Sequence, residues 1–244
     1  MPVAPVVGPV VSSALLIFCH DLNGLSPQIR DILRQQAETG ITVHLVVNGD
    51  GHSSGNTIFI PNRALFAKAH AKAQEGRIIP GNADLVLLAA FNELPRYDRY
   101  LVMEYDVFYN GSLPALVSHI FSSYPDHDFA STFIRPYKGN ERWPWWSSLR
   151  RGRHGANHTA RLYAFMQLAL YSHAALQALS NAVEDDWTGH HEVLHATLFR
   201  SMHLRMGVFE QDPILRFDAM TFAAVGPCVM KGDGFLHHPV KWSS

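Results

Sequence analysis

YLVMEYDV, residues 100–107, decides how this chain is read. Tyr100–Met103 is a short apolar run of the kind that forms a strand buried on both faces. It leads directly into Glu104-Tyr105-Asp106, two acids one residue apart at a strand end. Such a triplet is cheap: acid frequency alone predicts about two by chance, and four occur, at 104/106, 126/128, 184/186 and 210/212. Position sets the first apart, because open α/β folds bind their ligands at the carboxyl ends of parallel strands. Two carboxylates there can hold a divalent cation that bridges a diphosphate. The bland alternative is a strand-end turn with solvated acids.

The segments on either side repeat the pattern of strand and helix. Ala14–Cys19 is an apolar run ending in His20 and Asp21, and Ile41–Val47 runs into the turn Asn48-Gly-Asp50-Gly. Thr57–Ile60, Ile78–Ile79 and Phe129–Phe133 are further extended pieces. Between them, spacing predicts helices over Pro27–Gln36 with Gly40 closing the segment, over Asn62–Gln74, from a cap at Asn82 or Asp84 through Phe91, and over Leu113–Ser122. Strands separated by helices imply βαβ units, so the expected fold is α/β, a mainly parallel sheet flanked by helices in a single domain. From Arg135 to His158 periodicity fades into a run rich in arginine and tryptophan. Ala160–Val183 reads as a long helix or a strand-helix pair. Glu192–Met206 is a clearer helix, and the short run Gly207–Phe209 follows.

Composition narrows the function classes. Of 244 residues, 47% are hydrophobic and 17% charged, enough to fill a core. A chain of this length buries roughly 70–75% of its unfolded surface and needs no disulfide or metal to fold. Lys plus Arg is 20 against 21 Asp plus Glu, a balance that argues against nucleic acid as a partner. Cys19 and Cys228 sit in apolar contexts and read as buried thiols of a reducing compartment, a single disulfide being the minority option. Met1–Val11 lacks a basic start and is broken by Pro2, Pro5, Gly8 and Pro9, and runs such as Leu85–Phe91 fall far short of the ~20 residues that span a bilayer. The expected location is cytoplasmic; peripheral attachment at the inner face of a membrane is compatible with it.

Two further features carry chemistry. His191-Glu192-x-x-His195 puts two imidazoles on one helix face, with a glutamate to activate a zinc-bound water. About 0.03 such patterns are expected by chance. This supports a zinc metalloprotease as the alternative reading, although no Gly-x-x-His continuation follows and Glu210 is the only nearby carboxylate for a third ligand. The tail, Lys231 through His237, His238 and Lys241, can close over a phosphate or supply a late metal ligand.

Taken in order, HLVVNGDG (44–51), Gly81-Asn82-Ala-Asp84, YLVMEYDV (100–107), GHHEVLHATLFRSMHLRMGVF (189–209) and HHPVK (237–241) resemble nucleotide-sugar-dependent glycosyltransferases of the GT-A fold. The resemblance spans roughly residues 14–130 and 187–241 and rests on motif order. It implies a GT-A-like domain with a nucleotide-sugar-binding half (14–134) and an acceptor-side half (135–244) whose tail closes over the nucleotide. His20, Asp21, Asn48 and Asp50 would line the base and ribose pocket, and Asn82 and Asp84 would lie near the ribose or donor sugar. Glu104 and Asp106 stand at the family's Asp-x-Asp, with Asp106 a direct ligand of Mn or Mg. His238 or His237 would be the third ligand, and Lys241 would face the diphosphate. Glu192 stands at the position of the family's catalytic base, which deprotonates the acceptor hydroxyl in an inverting transfer. Trp145, Trp146 and Arg151 would form the acceptor side. The implied partners are a UDP- or GDP-linked sugar and a glycan or glycolipid acceptor, in bacterial glycan or polysaccharide assembly. Two departures are visible: Glu for Asp at the first acid of the triplet, and His191-Glu192 where inverting members have Glu-Asp. A catalytically silent sugar- or nucleotide-binding module is the third class.

Overall fold

Seven short, largely apolar segments build the central sheet of the computed structural model, which describes residues 12–62, 65, 73–74, 77–78, 83–152, 154–155, 161–225 and 233–241. They are β1 (Ser13–Cys19), β2 (Thr42–Asn48), β3 (Thr57–Ile60), β4 (Arg99–Glu104), β5 (Phe129–Ser131), β6 (Leu168–Ser172) and β7 (Met206–Val208). Their order across the sheet is β3-β2-β1-β4-β6-β5-β7. β1 lies between β2 and β4 in parallel register, Leu16 opposite both His44 and Val102. β6 runs antiparallel to its neighbours β4 and β5, and β7 is parallel to β5. The expected α/β class and mainly parallel mixed sheet are therefore present in a single domain.

Alternation along the strands sorts their side chains into two apolar layers. Leu15, Ile17, Val43, Leu45, Leu101 and Met103 pack with Ile29 and Ile32 of helix α1 (Pro27–Arg34). On the other face, Leu16, Val46, Tyr100 and Val102 meet Leu85 and Leu88 of α2 (Ala83–Glu93). Helix α3 (Leu113–Ser123) adds Leu116, Val117 and Ile120 to the first layer. Helices α4 (His173–Glu184) and α5 (His191–Ser201) add Leu176, Leu179, Val193, Leu194 and Phe199 to the second. Each such side chain contributes about 1.5–3 kcal/mol on burial, which is why the sheet needs helices on both faces. The helices begin where the chain offers caps: Ser26, Ser112 and Ser172 each accept from a backbone N–H three residues on. Gly40, at φ 67°, closes the turn after α1 in the left-handed region that glycine enters without strain.

A smaller sheet brings the C-terminal segment back to the main one. β8 (Arg216–Val225) pairs in parallel with β9 (Phe235–Val240), which runs antiparallel to Phe108–Tyr109, only two residues past Asp106. Within the described residues 233–241 the tail thus holds a strand, in line with its Phe235, Leu236 and Val240.

Some expectations are corrected. Ala73–Gln74 pairs antiparallel with Arg77–Ile78, so a helix through Gln74 is not formed; most of the expected 62–74 helix lies outside the described residues. The segment after residue 160 is strand and helix rather than one long helix, because Leu162–Ala164 pairs with Ile134–Pro136 and β6 enters the sheet. Cys19 is a free, buried thiol, pushed up to about 11 by burial and by the Asp21 charge; Cys228 lies outside the described residues. No helix among the described residues is long and apolar enough to cross a membrane.

Candidate active site

Parallel register places the ends of β1, β2 and β4 along one edge, and the β4 end carries the acids. Glu104 N donates to the Gln167 carbonyl at 2.9 Å and Tyr105 N to the Phe18 carbonyl at 2.9 Å, which holds the strand end between its two neighbours. The backbone then turns, Val107 N reaching Glu104 O at 3.0 Å. The turn aims Glu104 and Asp106 at β9. There His238 Nε2 lies 3.1 Å from Glu104 Oε2 and 3.5 Å from Asp106 Oδ1. A backbone hydrogen bond from Val240 N to Asp106 O, 2.8 Å, fastens the tail to the motif.

Glu104, Asp106 and His238 form a metal-competent group, with one ligand atom from each within 4.8 Å of the others. The donors, two carboxylates and one imidazole, fit a divalent cation. One observation favours such an occupant. Asp106 is buried, and its Oδ1 makes no hydrogen bond among the described residues, its nearest charged neighbour being His238 Nε2 at 3.5 Å, a costly state for a carboxylate oxygen in a dry place. Its Oδ2 is held by the Lys241 ammonium. Lys241 also donates to the Tyr105 hydroxyl at 3.1 Å and lies 4.9 Å from the centroid of that ring. Burial alone would lower the Lys241 pKa; the hydrogen bonds to Asp106 and Tyr105 outweigh it and raise it.

Strand alternation decides between the two tail histidines. His238 faces the acids, whereas His237 points to the other side of β9, its Nδ1 3.7 Å from Asp218 Oδ2. Tyr105 escapes sequence reasoning because it sits between the two residues that carry the motif. It stacks edge-on with His20 at 5.0 Å, and its hydroxyl lies 3.4 Å from His20 Nε2. A Cβ at Gly24 would meet the Tyr105 ring at 3.2 Å, so the loop after β1 packs directly on the motif.

The second acidic feature lies at the start of α5. Glu192 is 1% exposed. Burial first, and the nearby Glu104 charge second, push its carboxyl up to about 8, against a hydrogen bond with the Gln167 side chain that pulls it down. Gln167 therefore touches both acidic features, its carbonyl on the Glu104 amide and its side chain on Glu192. No motif marks it in the sequence. His190 caps the helix: its Nδ1 accepts from Glu192 N at 3.3 Å and lies 3.7 Å from Glu192 Oε2. Its ring stacks on Trp145 at 4.3 Å with the planes 7° apart.

No protein-family model matches the sequence, and no curated protein matches it. Among solved structures, the chain is similar to a glycosyltransferase involved in the glycosylation of the major capsid of PBCV-1, at 9% identity and a TM-score of 0.34. That match covers 71% of this chain and 65% of the other, so the chain spans just under two thirds of its length. It is also similar to mouse xyloside xylosyltransferase 1 in its apo form, at 12% identity and a TM-score of 0.41, covering 93% of this chain and 97% of that one.

The remaining expected residues divide. His20 and Asp21 are exposed at the β1 end, Asp21 accepting from Asn23 N at 2.9 Å. Asp50 is exposed in the turn after β2. Asn48 is turned to structure instead, its Nδ2 donating to Ile60 O at 3.1 Å and to Asn62 Oδ1 at 3.0 Å. Asp84 has no exposed surface, and its charge acts on the core residue Tyr171, so it is withdrawn from the donor side; Asn82 lies outside the described residues. Trp146 is likewise a core residue, its indole N–H donated to Asn140 O at 2.8 Å, which corrects its acceptor role. Trp145 is half-buried, and Arg151 is exposed, its guanidinium 5.7 Å from the centroid of the Trp187 ring.

The histidine pair of the zinc reading does not assemble into a metal group with a third ligand among the described residues. His195 is buried, with Nδ1 3.0 Å from the Tyr171 hydroxyl and its ring against Phe199. Glu210, the third-ligand candidate, is bound to Arg135 at 2.7 Å.

Proposed function

We propose that this chain is a metal-dependent glycosyltransferase of GT-A type that moves a sugar from a nucleoside diphosphate to an acceptor hydroxyl. One observation supports the reading above the others: a metal-competent trio at the carboxyl edge of a parallel sheet lies within electrostatic reach of a buried glutamate of raised pKa. Structural acids seldom combine these features.

In this reading Glu104, Asp106 and His238 hold Mn or Mg. A bound cation there would neutralise charge on the diphosphate leaving group. His20, Asp21 and Asp50 take the nucleoside side, beside the Tyr105 ring, and Lys241 supplies a positive charge to the diphosphate oxygens. Glu192 receives the acceptor proton. As that proton transfers, the acceptor oxygen bonds to the anomeric carbon and the bond from that carbon to the diphosphate breaks on the opposite face, which inverts the centre. A carboxyl with a pKa near neutrality is a stronger base than an ordinary one while still partly ionised at working pH. Gln167 and His190 hold it in place. Trp145 and Arg151, beyond His190, take the acceptor.

The test is thermal melting with UDP, GDP and CDP, each with and without Mn. Saturating ligand at a hundred times its Kd stabilises by about 2.7 kcal/mol, several degrees for a protein of this size. A shift with one nucleotide that grows with Mn is expected. No shift with any nucleotide, alongside zinc that survives dialysis, would sink the reading.

A further inference from the structure

We propose that Lys241 is a resident counter-cation of Asp106 that the diphosphate of a nucleotide draws away, so that nucleotide and divalent metal bind with positive coupling through this side chain. The proposal rests on the metal reading of the Glu104–Asp106–His238 corner and adds an order of assembly to it.

Three observations carry it. The Lys241 ammonium occupies Asp106 Oδ2, one of the two oxygens that acid can offer a metal. The partners differ in freedom: the Asp106 side chain is 7% exposed, the Lys241 side chain 49%. The acid is fixed by its surroundings, whereas half of the lysine already lies in water and pays little to turn outward. The lysine stem is itself anchored, because Val240 N, one residue earlier, is bonded to Asp106 O at 2.8 Å. The ammonium can therefore change direction while its backbone stays beside the acid.

Electrostatics gives the sign. A unit positive charge in contact with a ligand carboxylate opposes the entry of a dication at the same carboxylate. A nucleotide diphosphate at the sheet edge offers that ammonium a competing anion. Once it turns, Asp106 is open and the repulsion falls. Linkage requires reciprocity: the nucleotide tightens metal binding by the same factor as the metal tightens nucleotide binding.

The experiment is calorimetric titration of Mn into the full chain, alone and with UDP or GDP, for the wild type, Lys241→Met, Lys241→Gln, Lys241→Arg and Asp106→Asn. With no nucleotide present, both uncharged variants are expected to bind Mn roughly tenfold more tightly than wild type, a difference of about 1.4 kcal/mol. Lys241→Arg should bind like wild type. The nucleotide should tighten Mn binding in wild type and do so far less in Lys241→Met and Lys241→Gln. Equal or weaker Mn binding in the uncharged variants, or equal tightening by nucleotide in all of them, overturns the proposal. If Asp106→Asn still loses Mn in that case, the metal reading survives without it. Absence of Mn binding from wild type and every Lys241 variant, with or without nucleotide, ends both.

Discussion

The edge of the sheet and the start of α5 place carboxylates in opposite surroundings. At the edge, Glu104 and Asp106 face cations or donors, His238 and Lys241, and Glu104 remains partly open to solvent. At the helix, Glu192 is sealed from water and has His190 and Gln167 for company, with the Glu104 charge close by. The first arrangement suits holding charge, the second suits receiving a proton. Burial that raises one acid beside a cluster able to hold a cation fits the division of labour proposed above.

The sharpest way to break the comparison is to remove the charge-holding acid. Asp106→Ala is expected to abolish the Mn-dependent part of nucleotide stabilisation and to lower transfer by at least about 10³-fold, the loss of several kcal/mol of charge stabilisation. Thermal melting and turnover measured on the same preparations check it. A variant that keeps its Mn response would show that the corner is a structural turn.

Glu192→Gln should separate chemistry from stability. Transfer falls by about 10²–10⁴-fold, the usual worth of a general base. Stability moves the other way. In the folded chain the Glu192 carboxyl is raised to about 8, so between the ordinary glutamate pKa and that value the native state holds a proton the unfolded chain has lost. Stability therefore declines as pH rises through this window, and the whole loss is present above about 8. Glutamine at this position removes the decline. In EDTA the variant and wild type should melt together near pH 4 and diverge as pH rises. By pH 9 the variant should be more stable by on the order of 4 kcal/mol. A gap independent of pH would mean that Glu192 is not held protonated.

The comparison also marks what could be read in advance. The acids of the edge follow an apolar strand, so their place follows from local pattern, as do β1, β2 and the capped helices. The direction of β6 does not, since a strand's hydrophobicity is the same whichever way it runs. Burial is equally non-local: Trp146 and Asp84 carry polar atoms that suit a site, yet both are buried, and the indole N–H of Trp146 goes to the Asn140 carbonyl. His237 and His238 cannot be told apart until the register of β9 is known. Glu210 is taken by Arg135, 75 residues away in sequence. Gln167 belongs to no motif and gains its meaning only where β6 crosses beside Glu104 and α5.

The finest test lies at the proposed acceptor side, next to the start of α5. Trp145 stacks face to face on His190, and His190 in turn caps α5 beside Glu192. An aromatic pair of this kind is worth about 0.5–1.5 kcal/mol beyond the area it buries. Trp145→Ala is therefore expected to raise the acceptor KM or lower kcat by roughly 2- to 10-fold. Binding of the nucleotide and of Mn should be unchanged, because the proposed donor and metal sites use other residues. Titration of the two ligands separately, beside steady-state kinetics in the acceptor, measures both sides of that statement. A loss of nucleotide affinity in this variant would place Trp145 on the donor side, and the acceptor would then have to enter past Arg151 alone.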